Sequence, residues 1–148
     1  MRSFLWRAGA LGAIVGVDRL TKIWTLRQLA PRMFIPVLPF FRLTYVENTG
    51  AAFGIGHRQN AFFIGLTVIL LGGLAFLRRR WPRGGWLEAG FLLVVGGAVG
   101  NLYDRCAYGY VVDFLDFRIW PVFNVADSCI TVGACCLAWG LSRLEKNA

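Results

Sequence analysis

The chain has little acid and almost no histidine. Only eight of its 148 residues are Asp or Glu, and His57 is its single histidine. No HExxH sequence occurs, which excludes the zinc hydrolases built on that motif. The serines Ser3, Ser128 and Ser142 stand in no GxSxG setting, and a triad would need a serine beside the lone histidine. None of the four cysteines forms a CxxC pair, so neither a disulfide framework nor a thiol-redox motif is indicated. Cys129, Cys135 and Cys136 lie in an apolar run and read as small packing residues. Cys106 has no histidine nearby in sequence to activate it. Charged residues make up 16% of the chain, against roughly 25% in soluble domains. Low hydrophobicity, the precondition for disorder, is also missing.

Apolar side chains are abundant instead: 57% of residues are hydrophobic and 15% aromatic. The net charge of +8 does not point to nucleic acid, because the arginines flank apolar runs rather than decorate a soluble scaffold. A spanning helix needs about 20 mostly apolar residues. Four stretches approach that length, at about residues 4–26, 60–77, 86–103 and 122–141. The first could be mistaken for a cleaved signal peptide, but it continues through Asp18, Arg19 and Lys22 without a small-residue cleavage site. It reads as a retained helix. The expected fold class is therefore an all-α polytopic membrane protein with four transmembrane helices, in one domain over residues 1–148.

The second and third stretches are joined by RRRWPRGG, a run with four arginines and no acid. The positive-inside rule puts this connection, and with four crossings both termini, in the cytoplasm. Residues 27–59 and 104–121 then lie outside. The first of these segments is rich in β-branched and aromatic residues and contains Pro36 and Pro39, which predicts short strands on the membrane surface, a small β-rich extracytoplasmic cradle. Gly12 with Gly16, and Gly96 with Gly100, form GxxxG pairs expected to pack helices closely. GGAVGN lacks the lysine and the βαβ context of a phosphate loop.

With so few acids, each can be weighed. Glu145 and Glu47 read as solvated, and Glu88 suits the N-terminus of the third helix. Asp18 precedes Lys22 by four positions, on one helical face. A charge at bilayer depth must be paired or turned inward, so Asp18 is either half of a structural ion pair or a participant in catalysis or transport. Asp104, Asp113, Asp116 and Asp127 gather toward the outer side. Asn101 and Asn124 each precede an aspartate by three positions, as amides that could orient it. Two neighbouring carboxylates share a proton, and such a pair can hydrolyse an amide without a metal or a covalent intermediate. The alternative is that the outer acids only pair with Arg105 and Arg118. A small transporter or channel routed through Asp18, or a non-enzymatic helper packed through its glycines, are the competing classes.

Five motifs occur in order along the chain: DRLTK at 18–22, ENTGAAFG at 47–54, GGAVGNLYDR at 96–105, VVDF at 111–114 and FNVADS at 123–128. In this the sequence resembles the bacterial lipoprotein signal peptidases (signal peptidase II), a family of polytopic aspartyl proteases. The resemblance spans nearly the whole chain. It implies a prolipoprotein substrate with a diacylglyceryl group on the cysteine after its signal peptide, cut just before that cysteine. It implies that Asp113 and Asp127 are the catalytic pair, and that Asn48, Gly50, Asn101, Arg105, Asn124 and Ala126 line or support the pocket. Asp104 is implied to support the site through Arg105 or neighbouring backbone, and Asp18 with Lys22 to be structural. No metal or other cofactor is implied. The implied setting is the bacterial plasma (inner) membrane, with membrane lipid and the prolipoprotein as partners, no nucleic acid, and a monomer. One departure is that Asp113 and Asp127 stand only 14 positions apart, so the outer segment between them looks trimmed.

Overall fold

The computed structural model describes residues 2–50, 59–82 and 84–146. Its elements run α1 (Arg2–Trp24), β1 (Phe34–Leu38), β2 (Phe41–Asn48), α2 (Asn60–Arg78), α3 (Gly85–Tyr108), β3 (Val111–Asp116) and α4 (Val125–Glu145). Among the described residues, three helices are long and apolar enough to cross a membrane: α2, α3 and α4 as far as Leu144. α1 is as long, but Arg7, Asp18, Arg19 and Lys22 keep it out of that group. It ends at Trp24 in a π-helical turn, Thr25–Leu29, two residues short of the expected boundary.

The helix limits differ from the sequence expectation where polar residues occur inside helices. The third span was expected to close at residue 103, with Asp104 opening a loop. Instead α3 continues to Tyr108, and Gly109, with φ of 82°, supplies the left-handed C-cap. Its 24 residues make a rod of about 36 Å, longer than the roughly 30 Å hydrocarbon core. Asp104 and Arg105 therefore ride on its final turns rather than in a loop. The fourth helix, expected from residue 122, starts at Val125, because Asn124 is its N-cap. Asn124 and Asp127 are thus not neighbours on a helix face. They form a capping box: the Asn124 side chain accepts from the Asp127 N–H, and the Asp127 side chain accepts from the Asn124 N–H.

β1 and β2 fall in the segment expected to form strands, and β3, in residues 104–121 where no strand was named, completes one antiparallel sheet ordered β1-β2-β3. Pro36 sits in β1, an edge strand, where its missing N–H is tolerated. A bulge in β2 between Leu43 and Val46 interrupts its pairing with β3. After β3 the chain turns through Arg118, at φ of 67°, and Phe123 bridges back to Leu115 on its way into α4.

Glycines set the helix spacing, though only partly the expected ones. Gly12 and Gly16 meet nothing within 4 Å, so that pair packs no helix among the described residues. Gly96 lies against Ile14 and Gly100 against Asp18, so this pair seats α1 on α3. The α3–α4 seam uses other glycines. A Cβ on Gly90 would lie 2.7 Å from the Gly133 carbonyl, and one on Gly140 would lie 2.7 Å from Leu87. Gly97 faces the Ala126 carbonyl. At Gly90 and Gly97 the facing backbone comes close, while at Gly140 the Leu87 side chain fills the space a Cβ would take.

Candidate active site

Asp113 and Asp127 reach the site from different elements and are joined by one amide. Asp113 is on β3, opposite Val46 of β2, and is 1% exposed. Asp127 is in the first turn of α4 and is partly exposed. Asn124 Nδ2 donates to Asp113 Oδ1 at 2.6 Å. The same residue's Oδ1 accepts from the Asp127 N–H at 2.8 Å, and its own N–H donates to Asp127 Oδ2 at 3.2 Å. Two further amides complete the pair. Asn48 Nδ2 donates to Asp113 Oδ2 at 2.8 Å, and Asn101 Nδ2 donates to Asp127 Oδ1 at 2.7 Å. Burial and the charge of Asp127 raise the Asp113 carboxyl from the ordinary 3.8 to about 7, against the lowering hydrogen bonds of Asn48 and Asn124. The site therefore has a carboxyl able to hold a proton at neutral pH beside a second acid in the first turn of a helix, where negative charge is favoured.

Asp116, three positions after Asp113 on the same strand, has a different role. Side chains three apart on a strand point to opposite faces. Asp116 Oδ2 accepts from Arg42 Nε at 2.6 Å and from Thr44 Oγ1 at 2.9 Å, and its Oδ1 accepts from the Arg118 N–H. Burial pushes this carboxyl up, but the hydrogen bonds from Arg42, the Arg118 backbone and Thr44 outweigh it and hold the group below the usual range. The β2 bulge explains how one strand serves both acids: Arg42 meets Asp116 and Asn48 meets Asp113, although both lie at even positions of β2.

Behind the pair is a second, wholly buried layer. Lys22 and Asp18 are both fully buried and pair at 2.9 Å. Lys22 also pairs with Asp104 Oδ2 at 2.9 Å and donates to Asn101 Oδ1 at 2.8 Å. Asp18 Oδ1 accepts from the Ala126 N–H at 3.0 Å, next to Asp127. Asp104 accepts from Arg19 and, at 3.2 Å, from the Val112 N–H, next to Asp113. The expected route from Asp104 through neighbouring backbone is present. Among the described residues no hydrogen bond or ion pair joins the Arg105 or Arg118 side chain to the outer acids, although the charges of Asp113, Asp127 and Asp104 act on Arg105. Arg105 instead donates to the Gly50 carbonyl at 3.0 Å and lies 4.7 Å from the Phe63 ring centroid. Gly50 N–H in turn donates to Asn48 Oδ1.

The family model described as signal peptidase (SPase) II matches residues 10–143. The chain belongs to the signal peptidase II family. A lipoprotein signal peptidase of Pelotomaculum thermopropionicum is 47% identical over 134 residues, covering 88% of each chain. One of Gloeobacter violaceus is 42% identical over 148 residues, covering 97% of this chain and 84% of its own. Among solved structures, a bacterial membrane enzyme determined in meso at 2.3 Å resolution superposes with a TM-score of 0.85 at 30% identity, covering 95% of this chain and 90% of that one.

For a signal peptidase II, most of the expected residues converge: Asn48, Gly50, Asn101, Asp104, Arg105, Asp113, Asn124, Ala126 and Asp127, with Asp18 and Lys22 beneath them. His57 and residues 51–54 of the second motif lie outside the described residues. Asn124 holds Asp127, as its spacing suggested, and Asp113 besides, whereas Asn101, spaced to orient Asp104, donates to Asp127. The Asn48 amide holds Asp113. Arg19 was not singled out. Its ion pair with Asp104, and its guanidinium 4.3 Å from the Tyr103 ring centroid, were signalled only by its place beside Asp18.

Proposed function

We propose that Asp113 and Asp127 form a one-proton dyad that hydrolyses the bond before a diacylglyceryl-modified cysteine, freeing a prolipoprotein from its signal peptide. The observation that carries this is the single Asn124 amide joining the two acids across β3 and α4. Asp127, at the helix N-terminus, is the ionised partner and draws a proton from a water molecule. The water oxygen attacks the peptide carbonyl carbon, while protonated Asp113 donates to the carbonyl oxygen. Collapse of the diol returns a proton from Asp127 to the leaving amine and restores Asp113. Asn48, Asn101 and Asn124 keep the two carboxyls in register, and Arg105 with Gly50 shapes the rim.

The proposal places the whole 148-residue chain in the plasma (inner) membrane as one peptidase domain. α1 is its fourth crossing, its charges satisfied inside the bundle rather than by lipid. The arginine run between α2 and α3 is cytoplasmic with both termini, so the dyad stands near the outer face, at the depth where a lipid-anchored cysteine holds its scissile bond. The enzyme acts as a monomer, without a cofactor, on a substrate whose acyl chains stay in membrane lipid. The test is cleavage of modified and unmodified prolipoprotein by Asp113→Asn and Asp127→Asn variants that still insert. Each substitution should slow cleavage of the modified substrate by roughly 10²–10⁴-fold. Near-normal turnover in either variant, or equal cleavage of unmodified substrate, rejects the assignment.

A further inference from the structure

A second charged cluster lies at the other end of the helices. Arg7 of α1, Arg78 and Arg79 at the end of α2, and Glu88, Phe91 and Leu92 in the first turns of α3 enclose a cavity of about 270 Å³. Glu88 is 3% exposed. It accepts from Arg7, from Arg78 Nη2 at 3.4 Å and from the Gly84 N–H. Arg78 Nη1 is turned to the carbonyls of Trp81 at 3.2 Å and Pro82 at 3.4 Å. Its guanidinium lies 5.6 Å from the Phe91 ring centroid. Among the described residues the exposed Arg79 side chain makes no hydrogen bond or ion pair. Three guanidiniums thus face one carboxylate, leaving the cavity with a net charge of +2 over an apolar floor of Phe91 and Leu92.

Charge that only directs insertion acts through the loop and needs no cavity. Here the arginines are drawn around a cavity, and a buried acid spaces two of them. The cavity sits where two membrane-crossing helices end, at headgroup depth whichever leaflet that is. Its volume is below the roughly 300–1,000 Å³ of drug-sized pockets, enough for a small head group but not for a peptide. Guanidinium is the side chain suited to phosphate oxygens, and basic pockets between membrane helices suit anionic headgroups. We propose that this cavity binds the phosphate of an anionic glycerophospholipid, the headgroup seated at Arg78 and Arg79 and the acyl chains lying along α2. The proposal is independent of the peptidase chemistry, which stands at the opposite end of α3.

The test uses the full-length protein in detergent micelles, observed by native mass spectrometry. Phosphatidylglycerol, phosphatidylcholine of the same chain length, and inorganic phosphate are added separately and in competition. The expected result is retention of phosphatidylglycerol over phosphatidylcholine, with Arg79→Gln weakening it roughly fivefold. Arg143→Gln, a basic site on α4, should leave binding unchanged. Arg78 also holds Glu88, so its loss could unfold the corner; Arg79→Gln is the decisive variant because its side chain holds no partner. Equal retention of both lipids, or unchanged binding by Arg79→Gln, overturns the proposal. Inorganic phosphate that displaces phosphatidylglycerol at equal concentration makes this a site for the free anion and overturns the lipid assignment.

Discussion

α2 and α3 follow one another in the chain, and both are long and apolar enough to cross a membrane. They solve different problems. No residue of α2 is fully buried: Asn60, Phe63 and Arg78 touch α3, while much of the rest is exposed, Ile69 to 73%. α3 buries Leu87, Glu88, Gly90, Leu92, Val94, Gly96, Gly97, Ala98, Gly100 and Asp104, a mixture of glycine, aliphatic and acid. The more apolar helix presents the more exposed apolar surface, while the helix interrupted by small and polar residues carries the candidate site. In a membrane, hydrophobicity identifies a span, and departures from it identify where chains meet and where chemistry is held.

That contrast can be broken most forcefully at Lys22, which pairs with Asp18 on its own helix and ties α1 to Asp104 and Asn101 of α3. Lys22→Met should cost about 3–5 kcal/mol, because it strips a buried cation from Asp18 and Asp104. Unfolding in detergent micelles reads this, and a cost below about 1 kcal/mol would mean the buried charges are hydrated after all. Next is pH. Asp113 holds its proton up to about pH 7, whereas an unfolded aspartate loses it near 3.8. Between those values the folded chain binds more protons than the unfolded one, so stability falls as pH rises, by at most about 1.4 kcal/mol per unit. Asp113→Asn should flatten that slope; a wild-type midpoint that climbs over the same interval contradicts the burial argument. Gly100→Val drives a side chain into Asp18 and should cost about 1–3 kcal/mol, with activity lost alongside. Smallest is Ile69→Ala on α2, expected within about 0.5 kcal/mol and with unaltered cleavage. A large loss there would show that α2 covers a partner rather than lipid.

Much of this was legible in the sequence, for physical reasons. Apolar runs of spanning length announce α2 and α3 directly, and β-branched and aromatic residues with edge prolines announce the sheet. The dyad could be suspected because acids are so scarce. Other features depend on contacts remote in the chain. Nothing local says that Lys22 meets Asp104, or that Asp18 reaches the Ala126 N–H. Asp104 looked like a loop residue because charge usually ends a span, yet its partners Arg19 and Lys22 let the helix continue. Asn124 and Asp127 looked like helix-face neighbours because the spacing of a capping box is also that of a helical turn. The GxxxG pattern marked Gly12 and Gly16, whose surroundings are empty, and passed over Gly90, Gly97, Gly133 and Gly140, whose spacing follows a longer period.

The hydrogen bond from the Ala126 N–H to Asp18 ties the start of the last helix to the middle of the first. During synthesis the ribosome releases α1 long before α4, so Asp18 waits for its partner until translation is nearly finished. A nascent or truncated chain has no complete pair of acids and nothing to brace one against. With Asp113 and Asp127 as the proposed cutting pair, bond-cutting capacity is withheld until the last helix inserts.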